Sequence, residues 1–252
     1  MTEKKGIDIS RWNGNVNLEA AKNAGVEFVI IKAGGSDAGI YTDPWFERNY
    51  KKAKEAGLHV GAYYFVGKNF LTKEDGLADA KRFEELLKGK QWDYPVFLDI
   101  ESTGIKDKKN ATTASIAFCE YLEEKGYYVG IYASDIYGFK ERLEIERLGK
   151  FDKWVRRYGS KPKYVKDYGI HQFTSKGQIQ GFHDPKAISV VDINTSFKDY
   201  PNIIKKAGLN GYKKVEKKTP KKTKEEKEYI VFKFVKEKEL DGYKGFKKAE
   251  LK

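Results

Sequence analysis

Residues 6–210 predict an α/β fold, a parallel sheet closed into a barrel, with a short basic extension behind it. Three observations carry this. Short β-prone runs alternate with helical segments, the β-prone runs number eight, and the helical segments fall chiefly between the first five of them.

The first run, Gly6–Ser10, leads to a helical segment at Asn17–Ala24, and the second run is Glu27–Ala33. The next segment, Trp45–Ala56, carries Phe46, Tyr50 and Ala53 at i, i+4, i+7 with Gly57 as a stop, the pattern of an amphipathic helix. His59–Val66, Val96–Glu101 and Tyr128–Ala133 follow as strands, with helical segments at Leu77–Leu87, Thr113–Lys125 and Tyr137–Leu148. The remaining strands are Lys153–Arg157, Tyr168–Thr174 and Val190–Asn194. After Trp154 the connections are too short or irregular for full helices, so the last strands lack helical cover. In such barrels functional groups come from the C-terminal ends of the strands.

Composition narrows the class. The chain has 252 residues, 40% of them hydrophobic and 14% aromatic, which excludes a wholly disordered polymer. One cysteine excludes a disulfide framework and cysteine-based zinc sites. No apolar run reaches the roughly 18–20 residues of a membrane span. Met-Thr-Glu-Lys-Lys-Gly leads straight into a strand-like run with no apolar leader, so the expectation is a soluble protein made in the cytoplasm. The net charge of +12 points to an anionic partner. Tyr212–Lys252 holds 15 Lys and 8 Asp+Glu, so +7 of that charge lies in the extension. The expected organisation is a barrel at 1–211, a basic linker at 212–228 and a short segment at 229–252, which is either a solubilising extension or a binding element that docks on the barrel, pairs with another copy or begins a larger wall-binding module.

Three strands carry carboxylates inside apolar runs: Asp8, then Asp99 with Glu101, then Asp192. An ionised group there is costly unless it is paired or functional. Period-two geometry sends Asp99 and Glu101 to one face, about 6.6 Å apart along the backbone. Barrel closure would make the first and eighth strands neighbours, bringing Asp8 and Asp192 together across from Asp99. Four carboxyl groups at one mouth should raise each other's pKa and keep at least one protonated near neutral pH, as an acid-assisted glycosidase requires. Taken singly, Asp8 reads better as a helix cap and Asp192 as an Asx-turn; the set as a whole points to function. Of the strand-end aromatics Tyr63, Tyr64, Phe65, Tyr132, Trp154, Tyr158 and Phe173, most are expected to pack the barrel, with Tyr64 and Tyr132 the best cleft candidates. His59, His171 and His183 show no metal spacing, Cys119 reads as a small core hydrophobe, and Gly34–Gly39 lacks the end of a phosphate loop. No cofactor and no metal is expected.

Together, Gly6–Ser10, Phe28–Ala33, Tyr41–Phe46, Ala56–Phe65, Pro95–Glu101, Ile131–Ser134, His171–Ser175 and Val191–Asn194 resemble, in order, the family 25 glycoside hydrolases, the phage and bacterial N-acetylmuramidases. The resemblance covers about residues 4–200 and implies an irregular TIM-like barrel of eight strands with about five helices. It implies that Glu101 is the general acid, with Asp8, Asp99 and Asp192 as the other active-site carboxylates. Tyr64, Tyr132, Lys32 and Gln172 are implied to bind substrate. The chain departs from the family at Gly34-Gly35, where Thr-Glu is common, at Tyr64, where His is frequent, and at His171, where an aromatic is usual.

The function so implied is hydrolysis of the β-1,4 bond between N-acetylmuramic acid and N-acetylglucosamine in peptidoglycan, for bacterial lysis. The implied partners are peptidoglycan and anionic wall polymers, with no nucleic acid and no membrane insertion. The implied setting is an endolysin held in a host cytoplasm until lysis. Spacing leaves direct water attack and attack through an internal oxazolinium both open. The competing readings are a catalytically silent wall-binding protein and a chitinase-like glycosidase.

Overall fold

The computed structural model describes residues 3–183 and 190–214; the linker beyond 214 and the segment at 229–252 lie outside the described residues. The elements run β1 (Lys4–Ile9), α1 (Leu18–Asn23), β2 (Phe28–Gly35), β3 (Tyr41–Thr42), α2 (Phe46–Glu55), β4 (His59–Phe65), α3 (Lys73–Leu87), β5 (Val96–Asp99) and α4 (Lys108–Glu124). They continue with β6 (Val129–Ser134), β7 (Asp152–Arg156), β8 (Ile170–Gly177), β9 (Val191–Ser196) and α5 (Tyr200–Ala207).

The sheet order β1-β9-β8-β7-β6-β5-β4-β2, closed by β1 pairing with β2, makes an eight-stranded barrel, and β3 adds a two-residue antiparallel edge to β2. The barrel strands β1, β2 and β4 to β8 run parallel, but β9 is antiparallel to both β8 and β1. The expected all-parallel sheet is therefore corrected to a mixed one. With no helix to carry the chain back, β9 returns directly against β8.

Alternation divides each strand between two cores. Ile7, Ile9, Val29, Ile31, Val60, Ala62, Leu98, Ile131 and Val155 face outward and share one buried cluster with helix residues such as Phe83 and Phe118. Phe28, Ile30, Phe97, Tyr132, Trp154 and Ile170 fill the barrel with Tyr94 and, from α5, Tyr200 and Ile204. The rings stack in tiers: Phe28 lies 4.2 Å from Tyr94, which meets Tyr200 at 5.2 Å, and Phe97 meets Trp154 at 5.2 Å. Two inward positions must be glycine for this filling. A Cβ on Gly6 would sit 2.2 Å from the Phe28 ring, and one on Gly130 would sit 2.5 Å from Phe97.

The helices start where side chains satisfy their free N–H groups. Asn17 caps α1, Asp107 caps α4, and Thr72 with Asp75 forms a capping box on α3. Two elements differ from expectation. The Tyr137–Leu148 region forms a π-helical turn (Asp135–Lys140) followed by a 3-10 turn (Ile145–Leu148) in place of one α-helix, and Gly138 packs directly on Ala133. Helix α5, not anticipated, has Asp199 as N-cap, Pro201 in its first turn and Gly208 in the left-handed C-cap conformation.

Candidate active site

The inward residues at the C-terminal ends of the parallel strands carry the chemistry. In β5, Phe97 belongs to the aromatic filling and Asp99 is the next inward position; Glu101 follows just past the strand end. Asp8 on β1 pairs in register with Asp192 on β9, so the meeting of these two carboxylates follows from barrel closure. Asp8 and Asp99 are buried, whereas Glu101 and Asp192 are partly exposed. The set has an inner pair and an outer pair.

A hydrogen-bonded chain holds Asp8. Its Oδ2 accepts from Gln172 Nε2 at 2.9 Å and from Asn194 Nδ2 at 2.7 Å. Asn194 Oδ1 in turn accepts from the indole N–H of Trp154 at 2.7 Å, and Gln172 Oε1 accepts from the Tyr132 hydroxyl at 2.8 Å. Each amide is thereby fixed in orientation, and both present N–H to the carboxylate. The Asp8 carboxyl is nevertheless raised well above the usual range, first by burial and then by the charge of Asp192.

Asp99 is held differently. Its Oδ1 is buried and has no hydrogen-bond partner among the described residues. Burial and then Glu101 push its carboxyl up, while Lys32 and Arg156 oppose the rise. Lys32 is itself buried on β2, its ammonium 4.5 Å from the Phe65 ring centre and 5.9 Å from that of Tyr63. Asp192 is pushed up to about 6, mainly by burial and then by Glu101, with Tyr158 and Arg156 acting the other way. Glu101 Oε2 accepts a 2.6 Å charge-assisted bond from Arg156 Nη1 on β7. Tyr63 and Tyr132 are held firmly as phenols by burial and by these carboxylates, so both remain O–H donors.

The expectation for Tyr64 is corrected. Tyr64 is fully buried on the outer face of β4, its ring against Phe83 and Phe118 and its hydroxyl on Asp79 of α3 at 3.3 Å. Tyr63 is the mouth residue, 6.0 Å from Trp154 and electrostatically in touch with Asp8 and Asp99. Parity could have found it: Val60 and Ala62, the aliphatic positions suited to a helix-covered face, share alternation with Tyr64. Sequence reasoning gave no role to Arg156 or Asn194. No sequence-local signal marks Arg156, because its partner lies on another strand.

Among proteins of known kind, the family model "Glycosyl hydrolases family 25" matches residues 7–182. The autolytic lysozyme of Clostridium acetobutylicum is 31% identical over 178 residues, 70% of this chain and 52% of that protein. Lysozyme M1 of Streptomyces globisporus is 37% identical over 102 residues, 38% of this chain and 32% of that protein. The chain thus spans about half the length of the first of these relatives. Among solved structures, the CTP1L endolysin superposes with a TM-score of 0.68 at 29% identity, covering 80% of this chain and 69% of that one.

Proposed function

The chain belongs to the family 25 glycosyl hydrolases, and from that premise we propose that it is a peptidoglycan hydrolase, an N-acetylmuramidase with lysozyme activity. Its substrate on this reading is the β-1,4 bond between N-acetylmuramic acid and N-acetylglucosamine, and its place of action is the bacterial cell wall. The relatives named as lysozymes and as an endolysin support the substrate class. The observation that carries the mechanism is the two-tier carboxyl set at one barrel mouth.

Glu101, partly exposed just past β5, is placed to protonate the leaving oxygen of a glycan lying across the mouth. Asp99 lies one inward position deeper, and its unpartnered Oδ1 can accept the N–H of the substrate's acetamido group. In the same position its carboxylate stabilises positive charge developing at the anomeric carbon. Burial and Glu101 raise the Asp99 carboxyl, and the charges of Lys32 and Arg156 oppose that rise. Asp192 and Asp8 hold charge and geometry on the opposite wall, and Tyr63 and Tyr132 line the floor between the walls. The chain's +12 charge suits retention on anionic wall polymers.

A Glu101→Gln variant assayed for clearing of purified cell walls tests the assignment. Clearance falls by about 100-fold or more on this reading, in keeping with loss of a general acid. A folded variant that clears at near wild-type rate refutes it.

A further inference from the structure

The peptidoglycan backbone alternates two sugars, and a muramidase cleaves only one of its two β-1,4 linkages. The sugars differ in the 3-O-lactyl ether of the muramyl unit, which ends in a carboxyl group that is either free or extended by a stem peptide bearing carboxylates of its own. Some feature of the mouth must read that difference. The mouth is lined by Asp8, Asp99, Glu101 and Asp192, so an anionic sugar meets repulsion unless a cation receives it.

Besides Arg142, whose charge also acts on Glu101, two cations reach this cluster. Lys32 is buried beside Phe65, Tyr63 and Tyr41, and its charge acts on Asp99. Arg142 sits behind the strand end, where it donates to the carbonyls of Ile100 and Ile105. Arg11 lies over Trp12 and Tyr41 on the rim. Arg156 is the second cation of the cluster, and its side chain is 31% exposed. Its one side-chain hydrogen bond among the described residues is end-on, Nη1 to Glu101 Oε2 at 2.6 Å. A guanidinium offers five N–H donors in a planar fork that suits two carboxylate oxygens at once, so most of this fork is unused. That bond also fixes the orientation of the Glu101 carboxyl through Oε2.

We propose that Arg156 reads a carboxylate on the muramyl unit: in the free protein its guanidinium holds Glu101, and the incoming substrate carboxylate takes Glu101's place on it. The exchange seats the muramyl sugar, satisfies the fork side-on, and frees Glu101 to turn to the glycosidic oxygen. The inference rests on the muramidase reading. It adds a substrate-selection step in which an anion is required to free the acid, and it explains why an arginine is tolerated against the acid at all.

The test compares kcat/KM of the full-length protein and its Arg156→Gln and Arg156→Lys variants on four substrates. These are wall glycan stripped of stem peptides, the same glycan with its lactyl carboxyls converted to methylamides, stem-bearing glycan, and chitohexaose. The wild type is expected to favour the stripped glycan over its amidated form by about 10-fold or more, the scale of one well-placed charge pair. Arg156→Gln should erase that preference and Arg156→Lys keep part of it. Loss confined to stripped glycan assigns the lactyl carboxylate as the group read, and loss confined to stem-bearing glycan assigns a stem-peptide carboxylate. The same preference in wild type and Arg156→Gln overturns the proposal while leaving the muramidase reading intact. A wild type inactive on all four substrates overturns both. Should Arg156→Gln be inactive throughout, calorimetric binding of stripped-glycan fragments to Glu101→Gln, with and without Arg156→Gln, decides. Equal affinity in the two backgrounds refutes carboxylate reading, and weaker binding without Arg156, absent with amidated fragments, supports it.

Discussion

Asp79 offers a measurable charge effect outside the mouth. It lies on the buried face of α3, where its Oδ2 accepts from the Ser36 hydroxyl at 2.8 Å and its Oδ1 from the Tyr64 hydroxyl at 3.3 Å. Burial outweighs both hydrogen bonds and raises its carboxyl from an ordinary 3.8 to about 6. The folded chain therefore binds this proton more tightly than the unfolded chain. Its contribution is complete below about pH 4 and is lost as pH rises through about 6. A shift of about two units corresponds to about 3 kcal/mol of stability surrendered across that window. Asp79→Asn cannot titrate, yet its amide oxygen can still accept from Tyr64 and its NH2 can donate to the Ser36 oxygen. The variant should consequently gain about 3 kcal/mol on the wild type between pH 4 and pH 7.5. Asp192 titrates in the same range, but it is common to both proteins and cancels in the difference. Urea unfolding midpoints at several pH values, with unchanged m, measure it. A stability difference flat to within about 0.5 kcal/mol over that range, or one moving the other way, refutes the argument.

Gly6→Ala should cost about 2–4 kcal/mol, because its Cβ would meet the Phe28 ring at 2.2 Å in a filled barrel; thermal unfolding reads this directly. Asn194→Ala should lose about 2–4 kcal/mol and most of the glycan cleavage, since it strips Asp8 of a donor and leaves the buried Trp154 N–H unpaired. Tyr64→Phe should leave kcat/KM within about twofold and lower stability by about 1 kcal/mol, whereas Tyr63→Ala should depress kcat/KM at least about tenfold. Asp192→Asn should remove an inflection near pH 6 from the kcat/KM profile, because the carboxyl that titrates there is gone.

Much of this arrangement was readable before any coordinates. Barrel closure alone placed Asp8 beside Asp192, because first and last strands must become neighbours once the sheet has no edge. Two-residue periodicity led to Asp99 and Glu101 sharing one side, although the strand itself ends at Asp99 and Glu101 lies just past it. Depth was not legible. Nothing in the order of residues says that Asp99 ends without a partner for Oδ1 while Asp8 is given two amide donors, because both outcomes depend on strands β8 and β9. Tyr63 and Tyr64 are equivalent as letters, and alternation separates them only once Val60 and Ala62 are read as marking the helix-covered face. The direction of β9 escaped for a related reason: alternation looks the same whether a strand runs up or down. Helix α5 is marked in the sequence by Asp199 as N-cap, Pro201 in the first turn and Gly208 as the left-handed C-cap, yet with only eight residues it offers little periodicity to reinforce them.

The reversed direction of β9 has a consequence for how this unit can be joined to others. Because β9 descends, Lys4 and Ser196 are paired at the end of the barrel away from the carboxylates. There α5 carries Tyr200 to Asp152, and the chain runs on until Tyr212 reaches Asp93. Entry and exit of the polypeptide thus share the closed floor. Additional sequence can be spliced on at either side, or the whole unit inserted into a host chain, without crossing the open face that carries the carboxylates. Such plumbing favours shuffling: the barrel can change companions while that face stays unobstructed.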